Sequence, residues 1–197
     1  ARGKQFVKYW IHNGFVTINK EKMSKSLKNF VTINALLEHY DADTIRFFIL
    51  TNNYRMPVEF NDEALISAKT GFKRLQTALD EVIPFAADNL VVDNQAEEIE
   101  KFKNAMDNDL NTSVALSVLF DLSTKANSAK SANDKALAGK YIASLKMLMQ
   151  VLGFTCKKSQ MSEEELNKRI STVANELDFI TDKTLSGYAL IENVISV

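Results

Sequence analysis

NDEALISAKTGFKRLQTALDEVIPF, residues 61–85, decides the fold. Leu65, Ala68, Phe72, Leu75, Leu79 and Val82 follow alternating steps of three and four, which predicts a long helix with one apolar stripe. Asn61 or Asp62 starts it, and Pro84 ends or kinks it. A single stripe of that width has to bury against partner helices. Downstream, Ile99, Phe102, Met106 and Leu110 mark a second helix. Asn111 or Thr112 caps a third, whose apolar face includes Leu116, Leu119, Phe120 and Leu122. A fourth spans Lys135 to Leu152, carries Leu137, Tyr141, Leu145 and Leu148, and is ended by Gly153. Ser162 and Glu165 form a capping box for another helix toward Leu177. Short connections between such helices predict an antiparallel bundle.

Upstream of residue 61 the pattern changes. Thr32 or Asn34 caps a helix through Tyr40, and Asp41 or Asp43 caps one through Leu50. Pro57 suits a turn or short extended segment. Phe15 to Ile18 predicts a short strand, Asn19-Lys20 a turn, and Lys22-Met23-Ser24-Lys25-Ser26 a loop. Residues 1–31 therefore read as the end of an α/β unit. That loop sets two ammonium groups three positions apart among small hydroxyl residues, which suits a polyphosphate. The bland alternative is an exposed basic turn. The expected fold class is mainly α: a remnant of an α/β domain followed by an antiparallel helical bundle.

At 197 residues, 46% hydrophobic and 25% charged, the composition is that of a globular protein with a real core. No apolar run approaches a membrane span, and nothing resembles a signal peptide. One cysteine, Cys156, excludes an internal disulfide and fits a reducing cytosol. The net charge of −1 hides segregation. Residues 1–31 hold seven Lys/Arg against one acid, and residues 59–122 hold five against thirteen. Residues 123–160 hold seven lysines against Asp134 alone. Both basic blocks are candidates for phosphate contact, or else solvated faces.

The flanks narrow the reading. Tyr9-Trp10-Ile11-His12-Asn13-Gly14-Phe15-Val16 precedes the lysines and Leu27-Lys28-Asn29-Phe30 follows them. Then come Glu38-His39-Tyr40-Asp41-Ala42-Asp43-Thr44-Ile45-Arg46-Phe47-Phe48, Asn53-Tyr54-Arg55 and Ala105-Met106-Asp107-Asn108-Asp109-Leu110-Asn111-Thr112. Over about residues 4 to 153 the chain resembles the bacterial-type cysteinyl-tRNA synthetases, class I enzymes with a KMSKS loop. The resemblance implies ATP-dependent ligation of cysteine to its tRNA, with ATP and Mg2+ as cofactors. It implies Lys22 and Lys25 as catalytic cations, Lys25 above all, and Lys22, Met23, Ser24, Lys25 and Ser26 as the ATP-binding loop. It also implies a zinc ion that selects the cysteine thiolate, with ligands upstream of this chain. Residues 1–31 would then end the catalytic domain, 32–60 would contact the tRNA stem, and 61–197 would form a tRNA-binding bundle. Residues 161–197 do not resemble the family's tail.

The chain opens on Ala1-Arg2-Gly3, so it is expected to be a C-terminal fragment that does not activate cysteine alone. The expected partners are cysteine tRNA, ATP and cysteine, without a membrane, in the cytoplasm. Lys28 stands where the family usually has glycine, which adds charge and alters the expected loop geometry. Two other readings stay open: a cysteine ligase acting on a small acceptor, and a non-catalytic RNA-binding module. Arg46 and Arg55 would touch the tRNA stem or pair with Asp41, Asp43 or Glu59. Asp107, Asp109 and Asn111 lack the glycine and terminal glutamate of a calcium loop, so they read as caps and turns. His12 and His39 read as packed or hydrogen-bonded structural residues, and Cys156 as an inert thiol. Lys125, Lys130, Lys135, Lys140 and Lys146 recur about every five residues, too irregularly to share one helical face.

Overall fold

A computed structural model describes residues 3, 5–18, 20–24 and 31–156. The small sheet comes first. Strand β1 (Val16–Ile18) turns back into β2 (Glu21–Lys22), and β3 (Val58–Glu59) adds on the other side. The order is β2-β1-β3, antiparallel for the first pair and parallel for the second. Between β1 and β3 lie α1 (Ile33–Leu37) and α2 (Ala42–Leu50). The rest is α3 (Asp62–Phe85), a 3-10 turn (Ala87–Asn89), α4 (Glu97–Asp107), α5 (Thr112–Ser131) and α6 (Lys135–Val151). No helix among the described residues is long and apolar enough to cross a membrane. The expected helix from Ser162 falls outside the described residues.

Where the sequence offered two caps, the structure uses the first of each pair. The side chains of Thr32, Asp41, Asn61 and Asn111 accept the N–H groups of Ala35, Thr44, Ala64 and Val114. Each satisfies a donor that its helix leaves unpaired. Asp134 does the same for Leu137 at the start of α6, unanticipated from the sequence. Pro84 sits in the last turn of α3, which ends one residue later. Gly153, at φ 84°, ends α6 as expected.

Three expectations need correcting. Regular helix in α1 stops at Leu37, because the N–H groups of His39 and Tyr40 both fold back onto the Leu36 carbonyl. Leu110 does not continue α4: Asp109 and Leu110 both take left-handed backbone angles, which stops the helix. On α6 the buried face runs through Ala138, Ile142, Leu145 and Met149, and Leu137 is 39% exposed. Small residues decide that offset, because Ala138 and Gly139 let α6 approach its neighbours. An added Cβ at Gly139 would lie 2.1 Å from the Asn89 carbonyl oxygen.

The core lies where α3, α5 and α6 meet, with Leu75, Leu119, Leu122, Ile142, Leu145 and Met149 sealed from solvent. An aromatic group closes its upper end: Phe47 meets Phe72, Phe120 and Phe154 at 5.9–6.2 Å between centroids. Such tilted and edge-on pairs add to the burial of the rings themselves.

Candidate functional site

The lysine hairpin is built from β1 outward. Lys20 takes φ 66°, and the chain returns so that Thr17 pairs with Lys22 and Ile18 with Glu21. The Met23 N–H donates to the Val16 carbonyl at 2.9 Å and extends the pairing. Lys22 is therefore the last residue of a strand, where the sequence had placed it in the loop. A side-chain-bearing residue in the left-handed region costs roughly 1–2 kcal/mol. Here that conformation has a partner: the Lys20 N–H donates to Glu59 Oε1 at 3.1 Å. The Thr17 hydroxyl donates to Glu59 Oε2 at 2.5 Å. The Lys22 ammonium lies over the Phe15 ring, 3.8 Å from its centroid. Lys22, Met23 and Ser24 are thus brought together at the end of the hairpin. Lys25, Ser26 and Lys28 lie outside the described residues.

Beneath the hairpin is an apolar cavity of about 520 Å3, lined by residues that include Val16, Met23, Leu36, Phe48, Val58 and Leu110. Gly14 sits on its wall, where an added Cβ would lie 2.2 Å from the Met56 carbonyl oxygen. The Gly14 N–H donates to the Tyr54 carbonyl at 2.7 Å. Only glycine permits that approach.

The two arginines have protein partners. Arg46 pairs with Asp43 at 3.0 Å, one of the partners the sequence offered. Arg55 pairs with none of the three expected. Its Nε and Nη2 donate to Asp109 at 2.6 and 2.9 Å, and the Tyr54 hydroxyl donates to the same carboxylate at 2.7 Å. The left-handed turn at Asp109 and Leu110 makes this fork possible, and sequence spacing could not show it. The hydrogen bonds from Arg55 and Tyr54 lower the Asp109 pKa to about 2, and the bond to Asp109 raises that of Tyr54. Asp43 is nearly buried and also accepts from the Thr155 N–H and hydroxyl at 3.0 and 2.6 Å.

The charge blocks turn out to meet each other. Lys125 pairs with Glu98, and Lys130 with Glu81 at 2.9 Å. The bond to Lys125 holds the Glu98 carboxyl below its usual range. Two lysines of the second basic block are therefore taken up by the acidic block. Lys135 lies over the Phe85 ring, while Lys140 and Lys146 are exposed. The cations that share a groove come instead from the acidic block. Lys69, Lys73 and Arg74 of α3 face Thr124 and Asn127 of α5 across a depression of about 680 Å3. Helical spacing could have found this group, but net charge concealed it.

His12 and His39 are exposed, not packed, because both stand on segments outside the core. Burial pushes the Cys156 thiol pKa up, which disfavours the reactive thiolate. Among the described residues no group of three His, Cys, Asp or Glu is placed to hold a metal ion. These residues do not fit a zinc site, and no step is assigned to zinc.

A parallel strand pair beside a lysine hairpin thus leads into a helical bundle. Residues 1–70 match the family described as tRNA synthetases class I (C) catalytic domain, and residues 101–156 match the DALR domain. Over residues 1–70 the chain is therefore similar to the class I tRNA synthetases. Within that class it is 45% identical over 153 residues to the Cysteine--tRNA ligase of Burkholderia thailandensis, covering 78% of this chain and 31% of that protein. With the Cysteine--tRNA ligase of Shewanella pealeana the identity is 46% over 154 residues, 78% of this chain and 32% of that protein. The match to the Cysteine--tRNA ligase of Geobacter metallireducens covers 86% of this chain and 38% of that protein at 39% identity. The chain thus spans about a third of the length of the curated relatives it matches. Among solved structures, it is similar to Agrobacterium radiobacter agnB2 LeuRS in a ternary complex with tRNA and LeuAMS. The TM-score is 0.56 at 16% identity, covering 79% of this chain and 22% of that one, a likeness of fold.

Proposed function

We propose that this chain serves ATP-dependent ligation of cysteine to its tRNA, supplying the lysine–serine loop to ATP and the helical bundle to the tRNA. The observation that carries this reading is the order of two matched families on one chain, catalytic sequence first and DALR helices after. In the activation step a cysteine carboxylate oxygen attacks the α-phosphorus of ATP, and the bond to pyrophosphate breaks. Charge then grows on the departing oxygens. Lys22 and Lys25 are the groups proposed to meet that charge, with Met23, Ser24 and Ser26 completing the loop. Mg2+ bound with the nucleotide would supply further positive charge to its phosphates beside Lys22 and Lys25.

The resting place of Lys22 suits this task. An exposed cation over an aromatic face gains about 0.5–1 kcal/mol, whereas charge-assisted hydrogen bonds to phosphate are stronger. Lysine suits the task as a compact charge on a flexible stem. Residues 32–60 and the bundle from residue 61 are proposed to follow the tRNA, with Lys69 and Arg74 along its phosphates.

The test is binding of the 197-residue chain to cysteine tRNA and to an unrelated tRNA across a salt series. Selective binding supports recognition within the bundle. Equal and steeply salt-dependent binding reduces the contact to basic patches on phosphate, and absence of binding moves tRNA recognition outside this chain.

A further inference from the structure

We propose that Glu59 is a positioning residue for Lys22 at the start of the lysine–serine loop, tying the strand that carries Lys22 to the first helix of the bundle. The inference rests on the ATP-binding reading of that loop. Thr17 pairs with Lys22 on one side and with Glu59 on the other. The register therefore sets Lys22, Thr17 and Glu59 in one row across the sheet, and paired residues share a face. Glu59 uses both carboxylate oxygens on the hairpin. One accepts from the Thr17 hydroxyl at 2.5 Å and the other from the Lys20 N–H at 3.1 Å. Lys20 is the residue whose positive φ turns the chain back toward Lys22.

Glu59 itself stands two residues before Asn61, the cap of α3. A displacement of α3 would thus reach the Lys20 turn through a two-residue connection. The sheet does not depend on this side chain. The Val58 and Phe60 N–H groups donate to the Phe15 and Thr17 carbonyls at 2.9 and 2.8 Å whatever occupies position 59. Glu59→Ala should free the turn and leave β1 and β3 paired. Glu59→Gln keeps an acceptor oxygen for Lys20 and an amide that can reach Thr17.

The experiment compares Glu59→Ala, Glu59→Gln, Lys22→Ala and the Glu59→Ala/Lys22→Ala double variant in the full-length protein. It reads amide hydrogen exchange at Lys20, and cysteine-dependent ATP–pyrophosphate exchange. The expected result for Glu59→Ala is roughly tenfold faster exchange at the Lys20 amide and roughly tenfold lower kcat, with KM for ATP within about twofold. Glu59→Gln should recover most of both, and Glu59→Ala should add nothing to Lys22→Ala. Unchanged Lys20 protection in Glu59→Ala overturns the proposal, as do fully additive losses in the double variant. Lost Lys20 protection alongside a fully active Lys22→Ala supports the Glu59 anchor and overturns the ATP reading of Lys22 instead.

Discussion

Lys22 and Lys25 differ from the other cations of this chain in what they are proposed to do, so their removal should separate activity from stability. Lys22→Ala and Lys25→Ala are each expected to lower ATP–pyrophosphate exchange by about ten- to a hundredfold. Urea unfolding should move by no more than about 1 kcal/mol for Lys22→Ala, because Lys22 is exposed and its ring contact is worth about that much at most. Undiminished exchange in both variants would remove the loop from the mechanism. The Asp109 fork is a second residue-scale case. Its carboxyl titrates at about 2 instead of 3.8, chiefly through the hydrogen bond from Arg55. A lowered folded-state value means that the contact contributes fully above the ordinary value and is lost as pH falls through about 2. An NMR titration should therefore place the Asp109 midpoint near 2, and Arg55→Ala should move it up toward 3.8. Neither residue announced the other in the sequence, since 54 positions separate them and a turn of two left-handed residues joins them.

Elements were more legible than sites. The long helix of residues 62–85 follows from one stripe and one cap, and five starts coincide with side chains that bond the third residue on. The face of α6 was harder to see, because alanine and glycine carry little hydrophobic signal while fixing how near two elements come. Gly139→Ala tests this: its Cβ has no room beside the Asn89 carbonyl. It should destabilise the bundle by about 1–3 kcal/mol in urea unfolding. The α3–α5 groove is the corresponding element among those proposed to meet the tRNA. Replacing Lys69 and Arg74 together by alanine should weaken tRNA binding for every sequence alike. The slope of log K against log salt should flatten by about one per charge removed. A selective loss for cysteine tRNA would contradict phosphate contact there.

At the scale of the molecule, the second basic block that suggested a phosphate face is in part an internal matter, since Glu81 and Glu98 take Lys130 and Lys125. Linear charge counts cannot distinguish a block that faces a ligand from one that faces its neighbour. The fold class was readable because periodicity is local. Glu59 and Asp43 were not, because their partners come from distant parts of the chain. Asp43 carries a consequence for where the bundle ends. It joins α2 to Thr155, so the contacts run in a ring that closes three residues beyond Leu152. The compact unit therefore extends past Thr155 and does not end at the last turn of α6. A version cut at Gly153 would leave a nearly buried carboxylate short of two donors, and its thermal midpoint should fall below that of a version cut at Cys156.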